Sequence, residues 1–344
     1  MDFTLTSEQE LLRDTARSLL ARECPSSLVR AHMEDRSVAA ELWRRHLASW
    51  AELSAAPSVD LCLFCEQLGA ALAPGPFLAD VALFQPLVRA AGLDPAAFGS
   101  GTVALAGRDG LWQANDDPVR TFVLDVDLVQ AVAIVSSFVP RGGAEQGSAG
   151  VQLAVIDADA VDVRPIETLD STRRTYEIDV PDVDRSAGVV RAELDGNALR
   201  DIMVRATVAL SAELIGVAGW LVRRSVDYAK ERVQFDRPIG SFQGLQYKLV
   251  DMALAYERAT AAVYYAAMAL DADDPDRYRA AHVAKAAAGT AARHAAKDGL
   301  QVHGGIGYTW EHDLHLYLRR AYASDYLLGP ASWHHDRLAD LLLA

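Results

Sequence analysis

From residue 196 onward the chain consists almost wholly of long segments with apolar residues at helical spacing, and this limits the fold more than any other feature. ALRDIMVRATVALSAELIGVAGWLVRRSVDYAKERV, from Ala198 to Val233, keeps that spacing throughout and is closed off later by Arg237-Pro238. FQGLQYKLVDMALAYERATAAVYYAAMAL follows and ends in the acidic DADDPD. DRYRAAHVAKAAAGTAARHAAKDGLQVHGG then runs to a stop at Gly304-Gly305. Helices this long and this rich in alanine bury themselves by packing closely on one another. The pattern predicts a helical bundle, and with it an oligomer.

The rest of the chain has two other textures. Residues 1–97 read as helical. Thr6 is placed to cap the first helix, with Gln9 completing a capping box ahead of Leu12, Ala16, Leu19 and Leu20. LWRRHLASWAELS carries Leu42, Trp43, Leu47 and Trp50 near one face, and VDLCLFCEQLGAALAPGPFLA is broken at Pro74-Gly75-Pro76. Residues 98–195 change to short β-branched runs separated by Gly, Pro and Asp: TVALAGRDG, RTFVLDVD, AVAIVSSF, VQLAVIDAD and RTYEIDVPDV. These are strand and turn signals at the spacing of a small antiparallel sandwich or barrel. Arg141 to Gly150 is a polar, Gly-rich loop. The expected fold is therefore α+β and multidomain: an N-terminal helical domain, a central antiparallel β-sandwich or barrel (98–195) and a C-terminal four-helix bundle (196–344).

Composition narrows the function classes. The chain has 344 residues, is 51% hydrophobic and 23% charged, and can bury a large core. Its net charge of −14 opposes non-specific binding to nucleic acid. Cys24, Cys62 and Cys65 are too few for a disulfide scaffold and point to a reducing compartment. The opening MDFTLTSEQELLRD lacks the apolar stretch of a signal peptide, and no uninterrupted apolar run reaches the ~18 residues of a membrane span. The expectation is a cytoplasmic protein away from membranes.

The stretch RVQFDRPIGSFQGLQ, 232 to 246, fits neither linker nor core, with an arginine, a phenylalanine and two glutamines around a Pro-Gly break. Extended, it reads YAKERVQFDRPIGSFQGLQYKLVDM, and a second motif near the C-terminus reads QVHGGIGYTWEHDLHLYLRRA. Together with the order of helices, β-domain and bundle, these resemble the acyl-CoA dehydrogenase family, whose patterns are ER-x-x-FG-x-x-I-x-x-x-Q and Q-x-x-GG-x-GY-x-x-E-x-x-x-x-R-x-x-RDA. LGAALAPGPFL and TRRTYEIDVPDV are further landmarks, so the resemblance runs from residue 2 to the C-terminus. It implies an oxidoreductase that desaturates an acyl-CoA thioester at Cα–Cβ, with FAD as hydride acceptor and an electron-transfer flavoprotein as onward acceptor.

FAD carries a diphosphate and an adenine, so its cradle needs a cation, polar side chains and close backbone. Arg232 can fork onto phosphate oxygens, Phe235 offers a flat apolar face, and Gln234, Gln243 and Gln301 can hydrogen-bond the cofactor's polar edge. Gly304 and Gly305 let the main chain come close. By the resemblance, residues 232 to 246 form an arm that reaches a neighbouring subunit's FAD. The plainer rival reading makes Arg232 a solvated helix-end charge and Phe235 a core residue; the specificity of the motif favours the cofactor.

Other parts of the family pattern are missing. The chemistry needs a carboxylate to take the α-proton. Of the two positions that carry it in the family, one is Leu328, before Gly329, and the other is Ala206. Asp325, Glu213 and Glu311 lie nearby in shifted register. TVALAGRDGLWQANDD lacks the T-E-x-x-x-GSD loop that contacts the flavin ring, and WAELSAAPSVD shortens the loop before the helix VDLCLFCEQLG. Both losses fall on the half of the site that a subunit builds for its own flavin, while the lent half is kept. The resemblance therefore extends to the glutamate-lacking subunit of heteromeric α2β2 actinobacterial enzymes of steroid catabolism, whose partner subunit carries the glutamate. The rival readings are a self-sufficient homo-oligomer using Asp325 or Glu213 as base, and a flavin-free scaffold.

Smaller signals weigh less. Cys62 and Cys65 sit three apart within a helical segment, as two small hydrophobes would. His312 and His315 share that spacing without further ligands to make a metal site. His303, beside Gly304-Gly305, reads either as a cofactor contact or as the cap of the Ala-rich helix. Gly304-Gly305-x-Gly307 follows no strand and is no dinucleotide fingerprint. Arg173 and Arg174 read as solvated charges, one of which could meet a CoA phosphate.

Overall fold

The structure, a computed structural model, describes residues 4–138, 150–181 and 188–343. The expected Gly-rich loop, up to Ala149, lies outside the described residues.

Helix α1 (Ser7–Glu23) begins at the capping box: the Gln9 amide donates to Thr6 Oγ1 at 3.2 Å, and the Thr6 amide donates to Gln9 Oε1 at 3.1 Å. Helix α2 (Ser26–Glu34) follows. The single helix expected around LWRRHLASWAELS is instead composite. A short α3 (Ser37–Leu42) runs into a π-type turn, Trp43–Leu47, and then a 3-10 stretch, Ala48–Ser54. Helix α4 (Ser58–Ala71) ends at Leu72 in the left-handed region, and a π-type segment, Leu78–Phe84, leads into α5 (Gln85–Ala90).

The strands are β1 (Gly101–Ala104), β2 (Val119–Leu124), β3 (Ala131–Phe138), β4 (Gly150–Asp157), β5 (Val163–Ile166), β6 (Thr175–Asp179) and β7 (Val190–Leu194). Among the described residues they form two sheets, ordered β1-β3-β4-β7 and β2-β6-β5, and no closed barrel. All pairs are antiparallel except β1 with β3, which is parallel. Helix α6 (Gly196–Glu231) leads to a small hairpin, β8 (Val233–Gln234) and β9 (Arg237–Pro238). Then come α7 (Gln243–Asp271), α8 (Arg277–His303), α9 (Leu314–Tyr326) and α10 (Ala331–Leu343).

The chain divides into two compact units. The first, Asp35–Ala56 with Pro74–Ala206, contains both sheets. Its core lies between them, where Val123, Val132, Ile134, Ile156, Tyr176 and Ile178 are almost fully buried. Alternation along each strand puts these residues on the inner faces.

The second unit, Met1–Glu34, Pro57–Ala73 and Thr207–Ala344, is helical. Helix α8 presents Ala284, Ala288, Ala291, Ala292, Ala295 and Ala296, all buried, which allows neighbouring helices to approach closely. Helices α4 and α6 cross with backbone on backbone. A methyl group at Gly69 would overlap the Glu213 carbonyl, and one at Gly216 would overlap the Glu66 carbonyl. The first amides of α4 have no cap from their own sequence, because Pro57 occupies the cap position. Asp271, at the end of α7, supplies it: the amides of Ser58 and Val59 donate to its two oxygens at 2.6 and 3.1 Å. Helix α6 is long and apolar enough to cross a bilayer by composition, yet 83% of its most apolar window is buried within the protein, as in a core helix.

Candidate functional site

The end of α6, the hairpin, the start of α7 and the end of α8 enclose an open cavity of about 940 Å³. Arg232, Gln234, Gln301, Gly305 and His303 line it, together with residues that sequence reasoning did not single out: Tyr228, Ile239, Phe242, Gly244, Leu245, Lys248 and Ile306. Tyr228, Phe242, Leu245 and Leu249 pack on Ala229, Ile239 and Val302, so the cavity stands on a small apolar floor. Sequence periodicity held one clue to Lys248: it lies one helical turn beyond Gly244 and so shares its face.

Three further predicted residues surround the cavity without lining it. The hairpin turns through Phe235 and Asp236, both left-handed at φ 53° and 60°, as a two-residue turn between twisted strands requires. Neither is glycine, and the phenylalanine is held at a cost on the order of 1 kcal/mol. Its ring is 86% exposed and meets Phe242 edge-on, with centroids 6.0 Å apart. The Gln243 amide, in the first turn of α7, donates to the Tyr247 hydroxyl at 2.7 Å. Gly304 ends α8 at φ 62°.

The electrostatics of the wall suit an anion. No side-chain hydrogen bond or ion pair engages Arg232 or Gln301 among the described residues. Lys248 Nζ lies 2.9 Å from Asp298 Oδ1, and His294 Nε2 lies 2.9 Å from Asp298 Oδ2. The buried His303 stacks on Tyr228 at 4.5 Å. His303 Nδ1 lies 2.8 Å from the Gly299 carbonyl, which can only accept, so Nδ1 carries the proton. Burial pushes the His303 imidazole below its ordinary pKa, which keeps it neutral near pH 7.

Ala206 and Leu328, the positions that the sequence motifs set against the carboxylate of the resembled family, are both buried and apolar. Ala206 is fully buried on α6, and Leu328 is buried just past α9. Leu328 has φ 56° and Gly329 φ 96°, and the turn is held by its main chain. The buried Lys285 ammonium donates to the carbonyls of Asp325 and Gly329 at 2.7 and 2.8 Å. His334 Nε2 donates to the Leu328 carbonyl at 3.0 Å. Burial lowers the Lys285 pKa to about 8.

The nearby carboxylates are engaged elsewhere. Glu213 Oε1 is 3.1 Å from Arg320 Nη1, both side chains being buried. Asp325, fully buried, lies 3.3 Å from Arg293 Nε, though neither of its carboxylate oxygens accepts a hydrogen bond among the described residues. Neither lines the cavity, and Glu311 is exposed. His315 Nδ1 lies 2.7 Å from the His312 carbonyl, and no group of three metal-ligating side chains is found among the described residues. Cys62 and Cys65 are buried on α4, and burial raises the Cys24 thiol to about 12. Arg173 and Arg174 lie half-buried between β5 and β6.

Comparison with known proteins gives a consistent answer. The family described as "Acyl-CoA dehydrogenase, C-terminal domain" matches residues 200–343. The acyl-CoA dehydrogenase IpdE2 of Mycobacterium tuberculosis is 32% identical, over 94% of this chain and 94% of its own length. Among solved structures, the ChsE4–ChsE5 complex from Mycobacterium tuberculosis superposes with TM-score 0.80 at 22% identity, covering 100% of this chain and 99% of that one. PigA with FAD and proline gives TM-score 0.83 at 20% identity, covering 99% of each chain.

Proposed function

The chain belongs to the acyl-CoA dehydrogenase family, and from that premise we propose that it is one subunit of a heteromeric FAD-dependent enzyme that desaturates an acyl-CoA thioester. It lends its cavity to an FAD shared with a homologous subunit that carries the base. The observation that carries this reading is the convergence of Arg232 and Gln301, both without a side-chain partner among the described residues, on one open cavity.

The residues present fit a dinucleotide. A Cβ at Gly304 or Gly305 would meet nothing within 4 Å, so the main chain there is open to a ligand. When bound, FAD accepts the hydride from Cβ of the thioester. Arg232 would hold the diphosphate, Gln234 and Gln301 would bond its polar edge, and Gly304 and Gly305 would leave room for it. Phe235 and Gln243 sit on the exposed side of the arm, where a second subunit would cover them. A strained, exposed phenylalanine supports such a cover, since neither the strain nor the exposure helps an isolated chain.

Leu328 and Ala206 cannot accept a proton, Glu213 accepts from Arg320, and neither Glu213 nor Asp325 lines the cavity. The base is therefore assigned to the partner. The ChsE4–ChsE5 structure, a complex of two differently named chains, supports a hetero-assembly for this fold. An electron-transfer flavoprotein as acceptor and a cytoplasmic location complete the reading.

The test is to purify the chain alone and after co-expression with a full-length homologue encoded beside it, then measure flavin and turnover with acyl-CoA thioesters of increasing bulk, steroid-derived ones included. Flavin and turnover only in the co-expressed sample, both lost with Arg232→Met, are the expected result. A yellow, active protein on its own overturns the proposal.

A further inference from the structure

We propose that Lys248 is a second cationic contact, beside Arg232, for the diphosphate of the nucleotide that this cavity takes. The inference rests on the flavin reading above and adds to it a position that the family patterns do not specify. Lys248 stands on α7 and lines the same cavity as Arg232.

The argument starts from charge. A dinucleotide diphosphate carries two negative charges, and Arg232 offsets one. The chain as a whole carries −14 and repels anions at long range, so a diphosphate is held only where cations are locally concentrated. Lys248 is the other ammonium or guanidinium among the lining residues, and it shares its charge with the Asp298 carboxylate beside it.

Its ammonium is also pre-positioned. Asp298 accepts one of its three N–H groups, which leaves two for a ligand. The Lys248 side chain is 41% exposed and that of Asp298 11%, so the acid is buried under the amine at the solvent boundary. Burial works against the Asp298 charge, but Lys248 and then His294 hold its carboxyl below the ordinary range, and it stays ionised as an anchor. An amine already confined at the wall loses less freedom on binding than a free lysine stem would. The Lys248–Asp298–His294 group thus sets where the second charge stands.

The experiment is calorimetric titration of ADP and of adenosine into the co-expressed complex stripped of its flavin, at low and high salt, for wild type, Lys248→Met, Lys248→Arg and Arg232→Met. Lys248→Met is expected to weaken ADP about tenfold, in line with one lost charge-assisted hydrogen bond. It should leave adenosine unchanged and flatten the salt dependence of ADP binding, while Lys248→Arg restores most of the loss. If Lys248→Met binds ADP as wild type does while Arg232→Met fails, Lys248 is only a surface charge and the flavin reading stands without it. If wild type binds ADP no better than adenosine, this inference and the nucleotide reading fall together.

Discussion

Replacing Gly216 with alanine sets two known effects against each other. In a helix interior the change favours folding by about 1 kcal/mol, because alanine loses less backbone freedom than glycine. The α4–α6 crossing opposes it. The added methyl would sit 2.9 Å from the Ala70 amide nitrogen, where ordinary contact begins at 3.4 Å, and would overlap the Glu66 carbonyl outright. Both obstacles are main chain, so no side chain can swing aside and the helices have to part. Overpacking of this kind costs about 1–3 kcal/mol, and a rigid backbone neighbour puts this site at the upper end. The net expectation is a loss of about 2 kcal/mol, or a fall of roughly 3 °C in melting temperature for a chain of 344 residues. Gly244→Ala is the control, since nothing lies within 4 Å of a Cβ there, and it should melt at or slightly above wild type. Gly69→Ala meets the same crossing from the other side, against the Glu213 carbonyl. Once one methyl has separated the helices, the second should cost less, so the double variant should be more stable than the sum of the single losses predicts. A Gly216→Ala protein melting with the Gly244→Ala control would refute the reasoning.

Other perturbations follow from the same geometry. Asp271→Ala removes the cap on the first amides of α4 and should cost about 1–2 kcal/mol in chemical denaturation; an unchanged midpoint would show that water serves those amides equally well. Burial, with Lys285 and His282 adding to it, lowers the pKa of His334 to about 3, so below the ordinary range near 6.5 the unfolded chain binds the proton first. Stability should therefore fall with pH between about 6.5 and 3, by up to about 1.4 kcal/mol per pH unit, and His334→Gln should flatten that slope if the sign is right. Leu328→Glu buries a carboxylate where the leucine is 4% exposed, and should lower the melting temperature without giving the isolated chain turnover. Turnover from that single change would mean that this chain builds a complete flavin site by itself.

How much of this was legible in the sequence depended on how local the determinant is. Thr6 and Gln9 are three residues apart and fix the start of α1 by themselves, so the capping box could be read directly. The long helices carried enough turns for their period to stand out. Residues 42–54 did not, because α, π and 3-10 turns share nearly the same apolar spacing over so short a stretch. Pairing of β1 with β3 in parallel is non-local, with Thr102 beside Val132, and no alternation within either strand records it. At the site, Arg232, Gln234 and Gln301 were visible through their motifs. The turn at Phe235 and Asp236 was hidden because neither residue is the glycine or asparagine that usually announces a left-handed pair. Lys248 could be placed on the face of Gly244, but its ion pair with Asp298, on another helix, could not be read from the sequence.

The turn past α9 has one more implication. Lys285 and His334 grip the carbonyls of Asp325, Leu328 and Gly329, and none of these contacts involves the Leu328 side chain. The loop's shape is thereby uncoupled from the identity of the residue it displays. Any L-residue bears a similar left-handed strain there, so exchange at that position changes chemistry and local polarity while the path of the chain is kept. A lineage could discard a proton acceptor at such a point, and a later one regain it, through single substitutions that never require the protein to find a new fold.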